Sequence, residues 1–173
     1  MNVELTTVIT PDDLTLLRKF YEESFPAAER RDWQLIVSPK LPGSPELYAI
    51  IADGRLAGML TLWNFDRFSY VEHFAIAPEL RSRGVGSEAM RQLMEKIGNR
   101  PLVVEIEPPT ADHPETLSRR DFYSRLGFST ISTDYIQPPY SASLPPVPMH
   151  LMATTILPAQ STASVLHREV YGK

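Results

Sequence analysis

Apolar residues recur at two spacings along this chain, and each change of spacing marks an element. "NVELTTVI" is rich in β-branched residues and predicts a first strand. "TPDDLTLLRKFYEESF" then takes up helical spacing, with Leu14, Leu17, Tyr21 and Phe25 on one face, Thr10 as N-cap and Pro11 as the first helical residue. Trp33, Leu35, Ile36 and Val37 predict a short helix, and the Pro/Gly cluster after it predicts a loop. Two apolar runs around Asp53-Gly54 predict a hairpin. In "FSYVEHFAIAP" a period of two puts Tyr70, Glu72, Phe74 and Ile76 on one face and Val71, His73 and Ala75 on the other. Val85, Ala89, Met90, Leu93, Met94 and Ile97 then form a helical stripe closed by Gly98. "PLVVEIEPP" predicts a strand and "PETLSRRDFYSRLGF" a helix ended by Gly127. "STISTDYIQPP" and "VPMHLMATTI" predict two last strands around a constrained proline-rich loop, 138–148. The tail, 157–173, has room for a short helix.

The predicted order is therefore β-α-(α)-β-β-β-α-β-α-β-β. Helices interleave with strands, yet several strands follow one another directly. An α/β fold with a mixed sheet and helices on both faces fits this order. The chain has 173 residues, no repeat and no linker, so a single domain, 1–173, is expected, with a core of about 2–156 and a tail from 157. A formal net charge of −4 argues against a general nucleic-acid binder. There is no cysteine, which removes thiolate metal sites and a cysteine nucleophile and fits a cytoplasmic setting. "MNVELTTVITPDDL" has no basic segment followed by a long apolar one, so no secretory leader is expected. No apolar run reaches membrane-spanning length.

The segment "PELRSRGVGSEAM" is where chemistry enters. Arg81, Ser82, Arg83, Gly84, Val85, Gly86 and Ser87 follow a strand and open a helix. Glycine lets successive N–H groups point inward, and the helix adds the positive end of its dipole. Together they suit a diphosphate. The P-loop reading fails because Gly86 precedes Ser87 with no lysine, and the dinucleotide fingerprint fails because Met90 stands where its third glycine belongs. What remains is Arg-x-x-Gly-x-Gly at Arg81, Gly84 and Gly86. With "HFAIAPELRSRGVGSEAMRQLM" and, some 40 residues on, "FYSRLGF", the chain resembles the GCN5-related N-acetyltransferase (GNAT) family from about residue 2 to 156. That resemblance implies a mostly antiparallel sheet whose central strands splay apart, and an acetyl-coenzyme A site with no metal. It implies that residues 81–87 hold the pyrophosphate and that Phe74, Ala75 and Ile76 pair with the pantetheine like an extra strand.

Acetyl transfer to an amine needs a base to take a proton, a donor for the carbonyl oxygen as it gains charge, and an acid for the leaving thiolate. A backbone N–H at an irregular point of the strand can serve as that donor. Glu72, between Tyr70 and Phe74, is the first candidate for the base, its pKa raised by desolvation. Glu105, Glu107 or a water chain remain open for the role. His73, expected opposite Glu72, is read as a core or helix contact. Tyr123 matches the tyrosine that the family places near the sulfur and is the expected acid and a cofactor contact. Thr116 stands where the family often has asparagine, which puts that cofactor contact in doubt. Arg119 and Arg120 approach a phosphate or form a solvated face.

The acceptor is an amine of a small molecule or a peptide, and the resemblance places its specificity near residues 25–33 and 135–149. Tyr135 and Tyr140 line that pocket or cap the core edge. Glu22, Glu23 and Glu29 attract a cation or simply face solvent. No nucleic acid and no membrane partner is expected, and a homodimer is left open. A coenzyme-binding module without catalysis is the alternative.

Overall fold

The computed structural model describes residues 1–7, 9–38 and 44–173. These divide into two compact units, Met1–Arg100 and Pro101–Lys173. The predicted loop over 39–43 lies outside the described residues, as does Val8 near the end of the first predicted strand.

In the first unit, strands β1 (Val3–Thr6), β2 (Glu46–Ala52), β3 (Arg55–Asn64) and β4 (Ser69–Ile76) pair antiparallel in sequence order. Asp53 and Gly54 join β2 to β3 with φ of +48° and +76°, the left-handed pair that a two-residue hairpin requires. Helix α1 (Pro11–Ser24) starts as predicted: Thr10 Oγ1 accepts the Asp13 amide at 3.1 Å. Its Leu17 and Tyr21 meet Trp33 and Ile36 of α2 (Trp33–Val37) and Ala49 and Met59 of the sheet in one buried cluster. Each such side chain contributes roughly 1.5–3 kcal/mol by leaving water. Helix α3 (Val85–Ile97) covers the other face. Tyr48, next to Ala49 and so pointing the opposite way, lies with its ring 5.0 Å from Lys96 Nζ. Gln92 of α3 also clamps β1, accepting from the Leu5 amide and donating to the Val3 carbonyl. Gly98 ends the helix at φ +64°.

In the second unit β7 (Val147–Ala153) runs between β5 (Leu102–Ile106) and β6 (Ser129–Gln137), antiparallel to both. Helix α4 (Pro114–Arg125) packs on β5. Its last turn is closed by the Phe128 amide donating to the Tyr123 carbonyl, with Gly127 at φ +92°. The tail holds the expected helix: α5 (Ala159–Glu169) runs for 11 residues and packs on β6 through a side that includes buried Thr162 and Leu166. No helix among the described residues is long and apolar enough to cross a membrane.

Candidate active site

The candidate anion cradle begins where β4 ends. A 3₁₀ turn, Pro78–Leu80, takes the chain off the strand. Arg81 folds back so that its Nε donates to the Ile76 carbonyl at 3.0 Å, bracing the loop against the strand end. Ser82 and Gly84 both have left-handed backbone, φ +58° and +83°. For serine that conformation costs roughly 1–2 kcal/mol. Helices usually start with a side chain that caps the second or third amide. Gly84 occupies that position in α3 and makes no side-chain cap. The first bond of the helix is from Glu88 N to Gly84 O, 3.0 Å. The amides of Val85, Gly86 and Ser87 thus lie at the positive helix end with no capping side chain from Gly84. A Cβ built on Gly84 would meet nothing within 4 Å, so the space before it is open. The Val85 side chain is buried and anchors the loop, while Ser82, Arg83 and Ser87 are exposed.

Upstream, Phe74, Ala75 and Ile76 pair with Leu60, Met59 and Gly58 of β3. The strands approach closely there. A Cβ on Gly58 would lie 2.3 Å from the Ala75 carbonyl oxygen, so only glycine fits without a shift.

The alternation expected along β4 fails at Glu72-His73. Leu60 pairs with Phe74 but Leu62 pairs with Val71, which leaves two β4 residues opposite Thr61. This β-bulge is held by the His73 amide donating to Thr61 Oγ1 at 3.0 Å. Glu72 and His73, expected on opposite faces, therefore come together, with Nδ1 3.7 Å from Oε1. The Glu72 side chain is fully enclosed, at 0% exposure. Arg31 Nε donates to both of its oxygens at 3.1 and 3.2 Å, Arg31 Nη2 to one at 3.0 Å, and Trp63 Nε1 to the other at 3.0 Å. The guanidinium also sits 5.1 Å from the Trp63 ring centroid. The expected rise in the Glu72 pKa is reversed. Burial works upward, but neighbouring His73, Arg31 and the Trp63 indole outweigh it and hold the carboxyl below its usual value.

The same group of residues pins the segment between α1 and α2. The Tyr21 hydroxyl accepts the Arg31 amide at 2.7 Å and donates to the Arg31 carbonyl at 3.1 Å. His73 Nε2 donates to the Glu29 carbonyl at 2.9 Å. Its ring packs edge-on against Tyr21 and Phe25, the helix contact expected of it. Glu22 and Glu23 make exposed pairs with Arg18 and Lys19 on α1.

In the second unit Tyr123 is buried on α4, with Phe128 and Phe122 edge-on to its ring at 5.2 and 5.1 Å. Burial pushes its hydroxyl up to about 12, against the pull of the Arg119 cation. Thr116 donates to the His113 carbonyl at 2.6 Å and accepts the Thr110 amide at 3.0 Å, so its hydroxyl organises the entry to α4. Arg119 pairs with Glu107 and Arg120 with Asp121, all about half-exposed. Glu105 of β5 is the centre of another cluster. Tyr135 donates to it at 2.6 Å, Tyr171 at 2.9 Å, and Gln137 also donates. Tyr140 packs on Tyr171 with centroids 5.4 Å apart. Among the described residues no group of three or more His, Asp or Glu side chains could hold a metal ion.

Sequence reasoning missed Arg31, Trp63, Gln137 and Tyr171. Arg31 and Glu72 are 41 residues apart and Tyr171 and Glu105 are 66 apart, so no local spacing links them.

Comparison with known proteins adds family membership to this geometry. The model for the acetyltransferase (GNAT) family matches residues 14–128, across both units. A GNAT-family structure from Bacteroides thetaiotaomicron aligns at 32% identity over 98% of this chain and 99% of that one, with a TM-score of 0.85. A GNAT-family structure from Elizabethkingia anophelis with acetyl-CoA bound shares the fold at 17% identity, covering 90% and 97% of the two chains, TM-score 0.61. The protein YjbC of Bacillus subtilis is 31% identical over 70 residues, a stretch that spans 40% of this chain but only 35% of YjbC.

Proposed function

Since this chain belongs to the acetyltransferase (GNAT) family, we propose that it moves an acetyl group from acetyl-coenzyme A to a primary amine of a small molecule or a peptide. The observation that carries this reading is the helix start at α3. It pairs left-handed Ser82 and Gly84 with amides that Gly84 does not cap, at the positive helix end. Diphosphate oxygens would accept from Val85, Gly86 and Ser87, with Arg81, Ser82 and Arg83 around them. The pantetheine would lie along Phe74, Ala75 and Ile76. The co-substrate named for the E. anophelis structure supports the same assignment.

When bound, acetyl-coenzyme A supplies the reactive thioester. The amine nitrogen forms a bond to the acetyl carbon, and the carbon–sulfur bond breaks. The His73 N–H of the β4 bulge already donates to Thr61 Oγ1, so the charge that gathers on the carbonyl oxygen falls to another main-chain N–H along β4. The amine must lose a proton. Glu72, its carboxyl held below its usual value inside an ion pair, is a weak base, which leaves Glu105, Glu107 or a water chain for the role. Tyr123 serves the sulfur. Burial pushes its hydroxyl up to about 12, above the range of a thiol, so full transfer of its proton to the thiolate is unfavourable. Tyr123 therefore stabilises the departing sulfur as a hydrogen-bond donor rather than by surrendering its proton.

The test is release of coenzyme thiol from acetyl-coenzyme A, with a polyamine, an aminoglycoside and a peptide with an unmodified N-terminus as acceptors. Amine-dependent release is expected. Coenzyme binding with no turnover on any amine would favour the non-catalytic module.

A further inference from the structure

Resting on the acetyl-transfer reading above, we infer that Glu72 is a positioning residue: by gripping Arg31 it fixes segment 26–32 beside the β4 bulge and so governs which amine is accepted. The carboxylate has little room to act otherwise. Its side chain is wholly enclosed, and both oxygens already take bonds from Arg31, one of them also from Trp63. An amine would have to displace the guanidinium to deliver a proton there.

What Glu72 does hold is the backbone of another element. Arg31 is gripped at three places: its side chain by Glu72, its amide and its carbonyl by Tyr21. Two residues earlier, His73 of the bulge takes the Glu29 carbonyl. The segment is thus tied to both bulge residues, Glu72 and His73. The bulge runs straight into Phe74, Ala75 and Ile76, the edge proposed to take the pantetheine, so whatever attacks the thioester arrives past this segment. Arg31 is itself only 12% exposed along its side chain. With Glu72 neutral, a guanidinium that is mostly out of water loses its counter-charge and is driven outward. That movement draws the Arg31 main chain off Tyr21 and reshapes the approach to the bulge.

The test uses the full chain as Glu72→Gln, Arg31→Gln and the double variant. Hydrogen exchange of the amides in 26–33 is measured alongside acetylation of spermidine, an alanyl tripeptide and kanamycin. In both single variants the segment is expected to exchange at least about tenfold faster, with α3 unchanged. The KM for the amine used by the wild type rises by about tenfold, while kcat keeps its pH profile. The double variant adds nothing beyond the larger single effect, because both residues act through one contact. Should Glu72→Gln not fold, Trp63→Phe, which removes one donor to the carboxylate, is expected to give a smaller shift of the same kind.

Two results would overturn the inference. One is a fall in kcat of about 100-fold with an altered pH profile and undisturbed exchange in 26–33, which is the signature of a base. The other is additivity of the two single effects. If the wild type acetylates none of the amines, the acetyl-transfer reading is what fails, and the exchange data alone decide the positioning role.

Discussion

Replacing Gly58 with alanine tests how strand spacing supports the coenzyme-binding edge. The new Cβ would lie 2.3 Å from the Ala75 carbonyl oxygen and 3.0 Å from Ile76 Cδ1. The first distance is roughly 1 Å inside a tolerable contact, and the obstacle is backbone, which cannot rotate away. The β3 and β4 strands must separate locally, straining the pairings Gly58–Ile76 and Met59–Ala75 and the nearby bond from Ala77 N to Ala57 O, 2.8 Å. Overpacking of this kind costs about 1–3 kcal/mol, and one weakened ladder bond adds roughly 0.5–1.5 kcal/mol. At about 2–4 °C per kcal/mol for a chain of this size, Tm should fall by roughly 5–15 °C. Scanning calorimetry reads that shift. Ala75 also lies on the edge proposed to take the pantetheine, so titration calorimetry should show acetyl-coenzyme A binding weakened by about tenfold, or 1.4 kcal/mol. An unchanged Tm together with unchanged affinity would refute both the close approach and the proposed use of this edge.

Other outcomes follow from the same contacts. Tyr123→Phe is expected to fold, while kcat falls by about 100-fold through loss of the hydrogen bond to the departing sulfur; a kcat near wild type in steady-state assays would remove Tyr123 from the reaction. The folded-state pKa of Glu72 lies below its ordinary 4.5, so its contribution to stability is present above about pH 4.5 and is lost as pH falls below that value. Denaturant titrations should therefore show wild type ahead of Glu72→Gln by about 3–5 kcal/mol at neutral pH, with the gap closing in acid; a gap independent of pH would contradict the pairing. Thr10→Ala removes the α1 cap and should cost about 1 kcal/mol, read as a small drop in Tm with the activity intact.

Much of this architecture could be read from the residues because its signals are local. Thr10 before Pro11, Asp53-Gly54 between two apolar runs, Gly98 after the α3 stripe and Gly127 after α4 each need only their own few neighbours. The strand–loop–helix at Arg81–Gly84–Gly86 is equally local, since φ and helix polarity follow from residue type. The candidate catalytic groups were harder. The bulge that brings Glu72 to His73 depends on how β4 registers against Thr61, and strict alternation along β4 gives no hint of it. Once the alternation slips, the neighbours of Glu72 change from apolar residues to Arg31, His73 and the Trp63 indole, and the direction of its pKa shift reverses. The Glu105 cluster likewise gathers Tyr135, Gln137 and Tyr171 from β6 and the chain end. Helix α5 left only a weak local signal because "AQSTASVLHRE" mixes small and polar residues and has no side-chain cap at Pro158; packing on β6 supplies what that signal lacks.

Crystals grown with acetyl-coenzyme A offer the most direct measurement. Diphosphate oxygens within hydrogen-bond distance of the Val85, Gly86 and Ser87 amides, with the pantetheine beside Ala75, are the expected result. A diphosphate bound elsewhere, out of reach of those three amides, would contradict the claim that the start of α3 is what holds the acetyl donor.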